Sequence, residues 1–140
     1  MTFDPEVLLR QVFPGMAEDA RQEMARLAKV TNYPAGTMLC HEGALEEVFY
    51  IIGEGEVSVT QQLGNEERFL RTSGPGQYFG EMALIDNEPR SATALAITDV
   101  ELVPISEKQF LFLVSQTPYF ALKVMRILAQ RLRATNMSLD

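Results

Sequence analysis

The chain has 140 residues, enough for one hydrophobic core and short of a second domain with a core of its own. Hydrophobic residues make up 46% and charged residues 22% of it, the balance of an ordinary globular protein, and no apolar run reaches the ~20 residues of a membrane-spanning helix. A formal charge of −7 argues against nonspecific attraction to nucleic acid or an anionic membrane surface, and a single cysteine excludes an internal disulfide framework.

Met1-Thr2-Phe3-Asp4-Pro5 lacks the basic and apolar regions of a secretory signal, so a cytoplasmic protein is expected. Residues 4–13 predict a short helix, with Asp4 as a cap, Pro5 at the first helical position, and Val7, Leu8 and Val12 as apolar positions. Pro14-Gly15 breaks it. Met16 to Lys29 then resumes helical spacing through Met16, Ala20, Met24, Leu27 and Ala28, a pattern read as a core stripe.

From Val30 to Ile105 the punctuation changes to Gly, Pro, Asn and Asp between short β-rich runs, which predicts an antiparallel roll of many strands. The runs are Thr37–Cys40, Val48–Ile52, Val57–Thr60 and Arg68–Arg71, with Gly64-Asn65 as a two-residue hairpin signal. A last pair, Ala92–Ile97 and Val100–Ile105, flanks Thr98-Asp99. Cys40 and His41 are neighbours that a strand sends to opposite faces. With one histidine in the chain, the metal chemistry of a cupin-type roll is not expected, and neither is catalysis.

Ser106-Glu107-Lys108-Gln109 reads as a helix start leading into Phe110, Leu111, Leu113 and Val114, and Thr117-Pro118 ends or bends that helix. A final helix from about Tyr119 to Ser138 carries Phe120, Val124, Ile127, Leu128 and Leu132 as an apolar stripe. Lys123, Arg126, Arg131 and Arg133 occupy much of its remaining surface and read as a solvated face, because no second helix of a helix-turn-helix follows them.

The informative stretch is Gly76 to Thr93, GQYFGEMALIDNEPRSAT. A glycine turn at Tyr78-Phe79-Gly80 runs into Glu81-Met82-Ala83-Leu84, one helical turn, and then breaks at Asp86-Asn87-Glu88-Pro89. Gly80 frees the backbone to approach a ligand, and the N–H groups of a helix start suit an anion. Arg90 adds a planar fork of donors that matches two phosphate oxygens. Glu81 would be repelled by a phosphate unless it accepts hydrogen bonds from something else, such as sugar hydroxyls. A ligand with one phosphate and a neighbouring ribose satisfies both. The competing reading is a glycine turn beside a solvated Glu–Arg pair, which leaves the Pro89-Arg90-Ser91-Ala92-Thr93 run unexplained.

The two halves, Phe79-Gly80-Glu81-Met82-Ala83-Leu84 and Pro89-Arg90-Ser91-Ala92-Thr93, resemble the phosphate-binding cassette of cyclic nucleotide-binding domains, the family of the bacterial catabolite activators and the regulatory subunits of cyclic-AMP-dependent kinase. Upstream, Glu42-Gly43, Tyr50-Ile51-Ile52 and Gly55-Glu56-Val57 are similar to that family's glycine-punctuated roll. The resemblance implies a mainly β fold with flanking helices: a jelly-roll-like antiparallel β-roll over 30–105, two N-terminal helices over 1–29, a short helix in the cassette 76–93, and two C-terminal helices over 106–140. It implies phosphate contacts from Arg90, Ser91 and the Ala92 N–H, ribose contacts from Gly80 and Glu81, backbone and wall contacts from Met82 and Ala83, and walls from Val59 and Leu70. It also implies a last helix that covers the pocket and pairs across a dimer axis. Serine at position 91, where many cyclic-GMP binders have threonine, leans towards cyclic AMP, with cyclic GMP still open.

The expectation is a single domain over 1–140 that binds a cyclic nucleotide, moves its C-terminal helix in response, and is read by an unknown protein effector, with no catalytic cofactor, metal or DNA-binding domain. The alternative is a non-catalytic interaction domain that keeps the roll without using the pocket.

Overall fold

A computed structural model of the chain describes residues 3–86 and 89–139, without the side chains of Met82, Asp86, Arg131 and 134–139. The expected loop residues Asn87 and Glu88, the Met82 wall contact and the Arg131 member of the basic face therefore lie outside the described residues. The elements run α1 (Pro5–Val12), α2 (Glu18–Leu27), β1 (Thr31–Tyr33), β2 (Met38–Cys40), β3 (Val48–Glu54), β4 (Val57–Leu63), β5 (Glu66–Ser73) and β6 (Tyr78–Phe79). Then come α3 (Met82–Asp86), β7 (Thr93–Ala96), β8 (Val100–Ser106), α4 (Glu107–Gln116) and α5 (Pro118–Leu139).

Two antiparallel sheets of four strands face each other, in the orders β1-β8-β3-β6 and β2-β7-β4-β5. This is the expected β-roll with flanking helices. Two of its strands were not visible in the sequence: Thr31–Tyr33, which pairs with β8, and Tyr78–Phe79, which pairs with Ile51 and Tyr50 of β3 where a glycine turn alone was expected. Both are too short to show an alternation of their own, so their partners decide their conformation.

The first sheet is buried on both faces. Ile52, Val57, Phe79, Ala94, Val100 and Leu102 fill the space between the sheets. On the other face Phe49, Ile51, Val103 and Ile105 pack against Leu8, Leu9, Phe13, Met24, Phe110, Leu113 and Phe120 of the helices. Edge-to-face rings lock this layer, Phe13 against Phe120 at 5.0 Å and Phe49 against Phe110 at 5.8 Å between centroids. Of the apolar positions read into α1, Leu8 is buried with its neighbour Leu9, whereas Val7 is exposed.

Local chemistry sets the helix ends. Asp4 Oδ1 accepts the Glu6 N–H at 2.9 Å and Pro5 opens α1. Ser106 and Gln109 form a capping box for α4, with Gln109 N–H donating to Ser106 Oγ at 3.3 Å and Ser106 N–H donating to Gln109 Oε1 at 2.9 Å. Pro118 cannot donate to α4 and begins α5 instead. No helix among the described residues is long and apolar enough to cross a membrane.

Candidate functional site

Arg90 is held from several directions. The turn after β2 is zipped to its backbone, Gly43 N–H donating to the Arg90 carbonyl at 2.9 Å and Arg90 N–H donating to the Ala44 carbonyl at 2.8 Å. This gives Gly43 of the upstream Glu42-Gly43 pair a role in placing the arginine, while the Glu42 N–H donates to Thr93 Oγ1 at 3.0 Å. The side chain runs inward and is 4% exposed. Nη1 donates to the Gly80 carbonyl at 2.6 Å, and Nη2 donates to the Val48 carbonyl and lies 3.4 Å from Glu46 Oε2.

That arrangement differs from a fork turned wholly outward, since both Nη atoms are engaged by backbone carbonyls. Nε remains: it is buried and has no hydrogen-bond partner. A buried cationic donor without an acceptor is costly, which makes this N–H a point where an anion gains energy.

Gly80 is required twice over. Its φ is +86°, and a Cβ placed there would lie 2.4 Å from Arg90 Nη1. Only a bare α-carbon lets the guanidinium sit against this turn. Glu81 follows, half-buried, and its carbonyl accepts the N–H groups of Leu84 at 3.1 Å and Ile85 at 3.2 Å to begin α3. Burial, and second the charge of Glu81, push the Tyr78 phenol above its ordinary range.

A cavity of about 420 Å³ opens over this cluster. Val59, Leu70, Gly80, Glu81, Ala83, Arg90, Ser91 and Ala92 all line it, so the structure brings these expected site residues together; the Met82 side chain lies outside the described residues. Val59 is buried on the inner face of β4, and the Ser91 carbonyl is held by Gln61 Nε2 at 3.2 Å.

Phe79, Pro89 and Thr93 of the cassette stretch and Ala94 also line it, and Cys40, Gln61, Arg71 and Ile127, from outside that stretch, are further lining residues that the sequence did not mark as pocket residues. Gln61 had a signal, because it lies two residues from Val59 on the same strand face. Arg71 had none. Val59 pairs with Arg71 and Thr60 with Phe69, which leaves Leu70 as the extra residue of a β-bulge and lets Leu70 and Arg71 both reach the cavity. Ile127 belongs to the apolar stripe of α5 and carries that helix over the opening. Burial, opposed by Arg90 and reinforced by Glu46, pushes the Cys40 thiol up to about 11. His41, its neighbour, is exposed. Among the described residues no cluster of three or more His, Cys, Asp or Glu side chains is placed to hold a metal ion.

The family model of the cyclic nucleotide-binding domain matches residues 30–117, more than half of the chain and all of the roll. The chain belongs to the cyclic nucleotide-binding domain family. It is 38% identical over 109 residues to the cyclic AMP receptor protein of Thermus thermophilus, a match covering 77% of this chain and 50% of that protein. The structure resembles the Thermus thermophilus catabolite activator protein with a TM-score of 0.74 at 34% identity, over 93% of this chain and 62% of that one. It also resembles the regulatory domain of Toxoplasma gondii PKA solved with cAMP, with a TM-score of 0.76 at 26% identity, over 93% of this chain and 49% of the other. The chain thus spans about half the length of the cyclic AMP receptor protein that it matches.

Proposed function

We propose that this domain binds cyclic AMP in the 420 Å³ cavity and reports its presence through α5. The observation that carries the reading is the buried Arg90 guanidinium, whose Nε–H has no acceptor and which lies against a glycine turn beside Glu81. In this reading Arg90, the Ser91 hydroxyl and the Ala92 N–H take the cyclic phosphate. Gly80 and Glu81 take the ribose, with Met82 and Ala83 beside them, and Val59 and Leu70 flank the base.

Glu46, 3.4 Å from Nη2 and partly exposed, is a carboxylate already drawn to the same cation, so an incoming phosphate competes with it. The cation is thereby kept from standing wholly uncompensated.

Two residues bear on the base. Ser91 leans towards cyclic AMP by family resemblance. Arg71 at the cavity wall offers a fork that matches the O6 and N7 acceptors of guanine better than the amino group of adenine. Cyclic AMP is taken as the ligand because matched relatives named for it cover 77% and 93% of this chain, against 68% for a cyclic-GMP-dependent protein kinase that also matches. Titration calorimetry with cyclic AMP and cyclic GMP in parallel tests both points; saturable binding of neither ligand would leave the alternative, a roll that serves protein interaction alone.

Output follows from Ile127. A ligand that touches this side chain, or excludes it, has different free energies with α5 near and far, and only that difference can shift the helix. Toward its distal end Met125, Leu128 and Leu132 are 58%, 38% and 62% exposed at i, i+3, i+7 spacing, which suits pairing with a second copy in a homodimer. The domain is proposed to be non-catalytic and cytoplasmic. It is not expected to read a DNA sequence by itself, since Lys123, Arg126 and Arg133 are exposed cations scattered on one helix of a net-anionic molecule.

A further inference from the structure

A second cavity, of about 610 Å³, lies on the other side of the first sheet from the roll interior, between the end of α2, the start of β3 and the start of α4. Its floor is apolar, with Met24, Leu27, Val48, Pro104 and Phe112 among the lining residues, and Leu27 is 49% exposed there. Two ammonium groups stand at its rim, Lys29 just after α2 and Lys108 in the first turn of α4. Neither forms an ion pair among the described residues, whereas Glu23, the acid of the same rim, is held by Arg26 at 2.7 Å. The groove is thus locally cationic on a chain of net charge −7.

We infer that this groove docks an acidic, amphipathic segment of a partner protein. Such a segment lays apolar side chains on Leu27 and Phe112 and brings carboxylates to Lys29 and Lys108, which is how a helix face is read by a groove. Nucleic acid would leave the apolar floor unused, and an anionic membrane surface, far larger than the groove, would meet the field of the whole net-anionic molecule, whereas a short segment meets the local field of the two lysines. The groove is linked to the nucleotide cavity through one residue. Val48 lines the groove, and its carbonyl accepts the Arg90 Nη2–H. A phosphate that draws Arg90 toward itself loosens that bond, and by linkage an occupant that shifts Val48 changes nucleotide affinity by the same factor. This coupling rests on the nucleotide reading; the docking does not.

The test is a titration of the isotopically labelled full chain, followed by amide NMR shifts. The probe is a synthetic amphipathic helix with one leucine face and one glutamate face, and its counterpart carries lysine for every glutamate. The expected result is binding of the acidic peptide with shifts concentrated in 23–29 and 104–112. Lys29→Glu combined with Lys108→Glu should weaken it by about tenfold or more while leaving the melting temperature unchanged. Equal binding of the lysine peptide, shifts centred elsewhere, undiminished binding by the charge-reversed variant, or capture by phosphatidylglycerol vesicles in place of the peptide would overturn the docking. With cyclic AMP saturating, the peptide affinity should change. If cyclic AMP binds and that affinity does not move, the coupling is wrong; if cyclic AMP does not bind, the nucleotide reading fails and the peptide titration alone still judges the groove.

Discussion

Replacing Gly80 by alanine should damage the fold and the site together, by an amount that the geometry allows to be divided. The backbone there has φ +86°, so any side chain pays left-handed strain of about 1–2 kcal/mol. The new Cβ would also lie 2.4 Å from Arg90 Nη1, which is not free to swing aside because Gly80 and Val48 hold the guanidinium through their carbonyls. Breaking one such charge-assisted hydrogen bond costs about 1.5–3 kcal/mol. The sum is about 2.5–5 kcal/mol, or roughly 8–17 °C in Tm for a domain of this size. Gly76 is the control, since its φ is +84° and an added Cβ meets nothing within 4 Å, so Gly76→Ala should show the strain alone. Thermal and urea unfolding of both variants, and of Gly80→Ala combined with Arg90→Ala, gives the measurement. In the double variant the clash has no partner, and its cost should fall short of the sum of the singles. Equal losses for Gly80→Ala and Gly76→Ala, or strict additivity with Arg90→Ala, would refute the claim that Gly80 is kept bare for the arginine.

Glu81→Gln retains the shape of the side chain and removes its charge, so calorimetry should show weaker cyclic AMP binding and little change for 2′-deoxy cyclic AMP; an equal loss for both ligands would contradict a ribose contact. Burial raises the Cys40 thiol to about 11, so its share of stability is fully present below the ordinary thiol range and is lost as pH rises from about 8.5 towards 11. Urea unfolding across that window should show Cys40→Ala losing less stability than wild type by up to about 3 kcal/mol, with Tyr50 and Tyr78, which burial shifts in the same direction, supplying a remaining slope. Light scattering should find a dimer that Met125→Glu combined with Leu132→Glu converts to monomer without loss of nucleotide binding; a wild-type monomer at high concentration would exclude pairing through α5.

The parts of the site that were legible in the sequence are those where chemistry is confined to residue type. Gly80 and Arg90 stand out because glycine takes a left-handed turn without strain and arginine offers a planar cation, and the stretch from Gly76 to Thr93 holds both. The longer strands, the Gly64-Asn65 hairpin and the capped helices were likewise readable, because each carries its own turn or cap signal. Thr31–Tyr33 and Tyr78–Phe79 were not, since a strand of two or three residues is made by its neighbours. Arg71 was hidden by the bulge at Leu70, where simple alternation sends it to the opposite face from its neighbour. Ile127 was seen as one of several apolar positions on α5, but the direction of a helix over a cavity is a tertiary fact. The same holds for Leu128 and Leu132, read into the same stripe and found exposed.

The central claim is that Arg90 holds the phosphate of a bound cyclic nucleotide, and the most direct measurement is titration calorimetry of cyclic AMP into wild type, Arg90→Ala and Arg90→Lys. Saturable binding to wild type is expected, weakened by about 2–5 kcal/mol in Arg90→Ala, which is tens- to thousands-fold, with Arg90→Lys recovering only part because an ammonium lacks the planar donor set. Equal affinity of wild type and Arg90→Ala, or no binding to wild type, would contradict it.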